Sequence, residues 1–173
     1  MEKFNRSVLV WLWIGVALVF VQIVIGGITR LTGSGLSITK WEIVTGTIPP
    51  MNDAQWEQEF ELYKSTPQYL KINRDFELRD FKFIYFWEYL HRLWARMMGF
   101  IFIIPFLYFR RKKYFKPWIY KDFAIVIGIA SLAAIFGWIM VASGLINRPW
   151  VNAYKLSIHL LLGFSLFAYL LWT

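Results

Sequence analysis

The sequence predicts an all-α membrane protein: a four-transmembrane-helix bundle built from two parallel two-helix repeats, with a long outer loop. Three observations carry that expectation. Of 173 residues, 58% are apolar, 20% aromatic and only 17% charged, whereas soluble domains average about 45–50% apolar and about 25% charged. The apolar residues gather into four runs of roughly 20 residues, the length a helix needs to cross a bilayer's hydrocarbon core. The positive charge is concentrated in segments that fall on one side of those runs. One domain, residues 1–173, is expected, with spans near 8–28, 83–109, 123–142 and 153–172.

Val8 to Ile28 is a 21-residue stretch without a charge, interrupted only by Gln22 and glycines. It lacks a small-residue cleavage site, so it reads as a retained span and not as a signal peptide. The second run, Phe83 to Phe109, is different, because it carries Glu88, His91, Arg92 and Arg96. Phe123 to Ala142 is uncharged, and Ala153 to Trp172 has Lys155 and His159 near its start.

Charge then sets the expected orientation. Lys3 and Arg6 precede the first span, and Arg110, Arg111, Lys112, Lys113, Lys116 and Lys121 crowd the connection between spans two and three. Both segments lie on one side, which the positive-inside rule makes cytoplasmic. The segment Thr29 to Lys82 balances seven basic against eight acidic residues, as expected for the outer side. The net charge of +8 is therefore a topology signal, and nucleic acid is not an expected partner; membrane lipid is.

The outer loop has its own organisation. Gly26 to Ser37, GGITRLTGSGLS, is rich in glycine and hydroxyls, so its backbone can turn and approach a ligand closely. After Pro49-Pro50, Asn52 or Asp53 would cap a short amphipathic helix with Trp56, Phe60 and Tyr63 on one face, limited by Pro67. Such a helix would lie on the membrane surface, over a site, or against its own bundle.

A weak internal repeat supports the two-unit architecture. Ser34-Gly35-Leu36 follows span one and Ser143-Gly144-Leu145 follows span three, and each precedes a span with one histidine near its start. Spans one and three share a direction, so the units would be parallel repeats about an axis normal to the membrane.

His91 lies about 12 Å and His159 about 9 Å inside the outer ends of their spans, at 1.5 Å rise per residue. Ionisable side chains inside spans are costly and mark functional sites by default. Two opposed histidines suit haem iron, whose porphyrin leaves two axial positions, better than zinc, which takes three or four protein ligands. The bland reading is that each histidine only hydrogen-bonds a neighbouring helix. The chain has no cysteine, which excludes disulfides, Cys-ligated clusters and thiol catalysis within it.

Glu88 precedes His91 by three residues and shares its helical face. It would move protons, polarise a water or tune a ligand, or simply pair with Arg92 four residues on. Arg96 leaves the cluster with excess positive charge, so an anionic partner is expected, either haem propionates or a carboxylate elsewhere in the assembly. Arg30 and Lys155 are further propionate candidates, with snorkelling to the interface as the alternative.

These residues resemble the haem A synthase family. The likeness runs through GGITRLTGSGLSITKW (Gly26 to Trp41), GTIPP (Gly46 to Pro50), EYLHRLWARMMG (Glu88 to Gly99), GWIMVASGL (Gly137 to Leu145) and SIHLLLG (Ser157 to Gly163). It implies a half of an eight-span protein, namely the N-terminal four spans. That half binds haem O and oxidises a porphyrin methyl group to formyl, giving haem A for terminal oxidases. The resemblance puts His91 and His159 at the positions of the iron-ligand pair, Glu88 at that of the family's acidic residue, and Arg92 in the same motif. It implies a haem b in the missing second half, a redox donor, and contact with that half or another copy of the chain. Haem O synthase or oxidase assembly factors would be further partners.

Two departures stand out. Many bacterial members carry a cysteine pair in the first outer loop, and this loop has none, so retained chemistry would not use a local thiol. The sequence also stops at Trp172-Thr173, at the end of span four, which reads as a truncated chain or a compact four-span member. Two rival functions use the same residues: a non-catalytic b-type cytochrome or haem-handling protein, and a membrane subunit whose polar residues line a water path.

Overall fold

A computed structural model describes residues 5–40, 48–147 and 149–173. Lys3, Trp41 and the Gly46-Thr47 part of the GTIPP motif lie outside the described residues. Within them the chain is helical, in the order α1 (Arg6–Leu31), α2 (Asp53–Lys64), α3 (Pro67–Lys71), α4 (Leu78–Arg111), α5 (Ile119–Asn147) and α6 (Ala153–Trp172). α1, α4, α5 and α6 are long and apolar enough to cross a membrane.

Local chemistry sets the helix ends. The Asn5 side chain accepts from the Ser7 amide at 2.9 Å and starts α1. Gly33, at φ +67°, turns the chain after α1, a backbone conformation that costs glycine little. Asn52 caps α2 by accepting from the Gln55 amide at 2.9 Å, and α2 ends at Lys64, before Pro67 opens α3. α4 starts with a reciprocal capping box between Glu77 and Asp80. Its 34 residues make it about 51 Å long, well beyond the roughly 30 Å hydrocarbon core. The surplus at its first turns is where the outer loop packs.

α5 runs past the expected end at Ala142. Ser143, Gly144 and Leu145 therefore continue a helix, with Ser143 Oγ donating to Met140 O at 2.9 Å. Ser34, Gly35 and Leu36 instead form a turn after α1. The two Ser-Gly-Leu segments do not share a conformation, because Gly33 breaks α1 just before the first of them and nothing comparable precedes the second.

The bundle pairs α1 with α4, α5 with α6, and α1 with α6. At one end Val8, Trp11 and Leu12 of α1 meet Phe109, Phe115, Ile119 and Phe123, so the Arg110–Lys121 connection and the start of α1 lie together. Midway, Val16, Val19, Val126 and Leu170 join α1, α5 and α6. At the other end Phe60 and Tyr63 of α2 are buried against Phe81, Ile84 and Tyr85 of α4, with Trp56 packed on the same group.

Polar side chains of one helix meet backbone carbonyls of another along the α1–α4 contact. Pro105 has no amide proton, so Ile101 O loses its partner four residues on; the Trp11 indole supplies the missing donor at 3.0 Å. Trp94 Nε1 donates to Leu18 O at 3.0 Å, Gln22 Nε2 to His91 O at 3.3 Å, and Thr29 Oγ1 to Trp87 O at 3.2 Å. In an apolar environment such donors must find acceptors, so these bonds fix how α4 sits on α1.

Candidate functional site

His91 and His159 come from α4 and α6, which are not one of the bundle's principal pairings. Both are half-buried. Each ring lies against a glycine of the preceding membrane-length helix. A methyl group at Gly26 of α1 would sit 3.2 Å from His91 Nε2, and one at Gly137 of α5 would sit 3.1 Å from His159 Cε1. The backbone of the partner helix itself forms one wall for each ring.

The two rings are held unequally. His159 Nδ1 lies 2.9 Å from Ala133 O. A carbonyl only accepts, so Nδ1 carries the proton and Nε2 keeps its lone pair for a ligand. No hydrogen bond to the His91 ring is found among the described residues. Its surroundings include Gln22, whose amide donates to His91 O while its Oε1 is buried without a partner among the described residues.

Glu88, one turn before His91, is only 2% exposed. Its Oε2 accepts from Ser37 N at 2.7 Å, Ser37 Oγ at 2.7 Å and Ile38 N at 2.8 Å. Its Oε1 pairs with Arg92. The Arg92 guanidinium also reaches Ile38 O at 3.3 Å and Lys40 O at 3.4 Å. Together Glu88 and Arg92 clamp the Ser37–Lys40 segment to α4. The same turn reaches α5: Leu36, 2% exposed, packs on Gly144, where a methyl group would fall 2.7 Å from its Cδ2.

The other expected cations are spread more widely. Arg96 is half-buried one turn beyond Arg92, Arg30 is exposed on the last turn of α1, and Lys155 is half-buried on the first turn of α6. Neither Arg30 nor Lys155 has a side-chain hydrogen bond or ion pair among the described residues. A cavity of about 360 Å³ opens on the outer loop between Ile38, Lys40, Pro49, Gln55, Glu59 and Tyr85, and neither histidine lines it.

The outer loop carries a second polar chain. Asn73 Nδ2 donates to Tyr63 OH at 2.8 Å, Tyr63 OH to Gln68 Oε1 at 3.2 Å, and Gln68 Nε2 to Gly33 O at 2.8 Å. Burial pushes the Tyr63 phenol up to about 12. The loop is thus tied to the turn that ends α1.

A family model described as cytochrome oxidase assembly protein, COX15-CtaA, matches residues 9–173. The chain belongs to the COX15-CtaA family. Among curated relatives, a heme A synthase of Flavobacterium psychrophilum is 51% identical over 98% of this chain and 51% of its own length. Those of Flavobacterium johnsoniae and Nitrosospira multiformis are 48% and 43% identical, each over 99% of this chain and 51% and 49% of their own. The chain thus spans about half the length of the curated relatives it matches. No solved structure matches.

Two imidazoles on different helices, each in a notch that a methyl group would fill, together with nearby arginines, fit a haem. Sequence reasoning took Gly26 and Ser37 only as the ends of a segment able to approach a ligand and Gly137 only as part of a motif, assigned none of them a partner, and passed over Ala133. A glycine inside an otherwise large-residue span was the available signal for the two glycines; Ser37 had none beyond lying in the glycine- and hydroxyl-rich segment.

Proposed function

We propose that this chain is the haem O-binding half of a haem A synthase, a membrane oxidoreductase that converts a porphyrin methyl group to formyl for terminal oxidase assembly. The observation that carries the reading is that His91 and His159, on two different membrane-length helices, are each backed by a glycine of a neighbouring helix. The relatives' name supports the substrate and the reaction.

His91 and His159 would hold the iron of the substrate haem, which supplies the redox-active metal and the methyl group that reacts. Ala133 O keeps His159 in the tautomer whose Nε2 is free. Arg92 and Glu88 hold the Ser37–Lys40 segment on α4, and that segment would screen the outer side of the pair from water. Glu88, the carboxylate nearest in sequence to the ligand pair, has both oxygens engaged by Ser37, Ile38 and Arg92, so its proposed role is to position the outer segment and Arg92 beside His91 and not to carry a proton itself. Arg30, Arg96 and Lys155 are the cations proposed for the propionates, with Arg92 shared between them and the loop.

The basic connection and the start of α1 would face the cytoplasm, with the outer loop on the far side of a bacterial inner membrane. Electrons would come from a redox donor, such as a haem b in a second four-span half or another copy of this chain. Haem O synthase and oxidase assembly factors are the proposed neighbours.

The test is a strain whose sole copy of the gene carries His91→Ala, with haems extracted from its membranes. Haem O is expected to accumulate and haem A to disappear. Haem A at the parental level rejects the proposal.

A further inference from the structure

We infer that Gly26 and Gly137 are positioning residues for the two imidazoles, their bare Cα atoms setting where the rings stand. The inference rests on the haem reading above. Glycine is frequent in membrane-spanning helices, so it is the contacts at these two positions, and not glycine's presence, that distinguish them. At Gly26 a methyl group would meet His91 Nε2 at 3.2 Å and Cδ2 at 3.5 Å. At Gly137 it would meet His159 Cε1 at 3.1 Å and Nδ1 at 3.3 Å. Carbon contacts are comfortable at about 3.5–4.0 Å, and an aromatic ring cannot bend to recover the difference. The ring must tilt or the helices must part by a few tenths of an ångström.

That displacement is comparable to the tolerance of a ligand set, which is held to within about 0.5 Å. At Gly137 it also falls on the nitrogen bonded to Ala133 O, so the ring cannot turn away without straining that bond. The same two helices contain internal controls. Methyl groups at Gly27 of α1 and Gly128 of α5 would meet nothing within 4 Å. Alanine there gains helix propensity without touching a ring.

The experiment uses the detergent-purified full chain titrated with iron protoporphyrin IX, followed by optical and low-temperature EPR spectra. Wild type, Gly27→Ala and Gly128→Ala are expected to share one affinity and one six-coordinate low-spin signal. Gly26→Ala and Gly137→Ala are expected to bind roughly tenfold to a hundredfold more weakly, the range for losing a group that orients a ligand. Their low-spin signal moves, with a high-spin fraction appearing. A general packing defect would weaken binding without moving that signal, and so would overturn the inference. So would a pair of variants indistinguishable from wild type. If one variant fails to insert, the other glycine carries the same test. A wild-type chain that takes up no haem rejects the haem reading itself, and this inference with it.

Discussion

Glu88 Oε2 receives both the amide and the hydroxyl of Ser37, at 2.7 Å each, across 51 residues of sequence. With the Ile38 amide at 2.8 Å and Arg92 on its other oxygen, this carboxylate is the knot between α4 and the turn after α1. An amide cannot replace it. Glutamine would present hydrogens either to two backbone amides or to a guanidinium.

Glu88→Gln is therefore expected to loosen the Ser37–Lys40 segment while α4 stays helical. Hydrogen bonds to a charged group contribute about 1.5–3 kcal/mol, so the Ser37 and Ile38 amides should exchange about 10- to 100-fold faster. Hydrogen exchange on the purified protein reads this directly. Unchanged protection at both amides would mean that the loop is held by something else.

His159 is fixed by Ala133 O and rests on Gly137, whereas the His91 ring rests on Gly26 with no hydrogen bond among the described residues. A bond from Nδ1 to a carbonyl orients a ligand and raises its basicity. His159→Ala is thus expected to lose more haem than His91→Ala, measured as haem per protein after identical purification. The reverse order contradicts this ranking.

Trp11 answers the gap that Pro105 opens at Ile101 O. Trp11→Phe leaves a buried carbonyl unpaired and should cost about 1–3 kcal/mol. Adding Pro105→Ala restores an amide four residues on. The double variant should recover most of the loss, a non-additivity that a thermal-stability cycle detects. Simple addition of the two effects would show that the indole contributes by packing alone.

The phenol of Tyr63 is raised from 10.0 to about 12 by burial. The folded loop binds its proton more tightly than the unfolded chain. Its contribution is complete below about pH 10 and drains away as the pH climbs through about 12. Tyr63→Phe should flatten the alkaline loss of stability in that window, followed by thermal unfolding at pH 9 to 12. An identical alkaline slope in both proteins counts against a buried Tyr63.

Some of this was legible from local signals. The spans announced themselves because membrane burial requires about 20 contiguous apolar residues, and Asn52 as the cap of α2 needed only the four residues after it. The i, i+4 pair of Glu88 and Arg92 was readable for the same reason. The end of α5 was misjudged by five residues, since no left-handed glycine marks it as Gly33 marks the end of α1.

The sequence by itself determined the class of fold, the four long helices, the two histidines and the charge asymmetry, because each depends on neighbours along one helix. Only the tertiary structure decided that Glu88 is spent on Ser37 and Ile38, that Trp11 completes Ile101, and that Gly26 and Gly137 back the imidazoles. Those relationships join residues 22 to 90 positions apart, and they follow from which faces of α1, α4, α5 and α6 meet. Hydropathy alone does not set that rotation. Here it is set by the polar groups and small residues that a water-free interior obliges to find their counterparts.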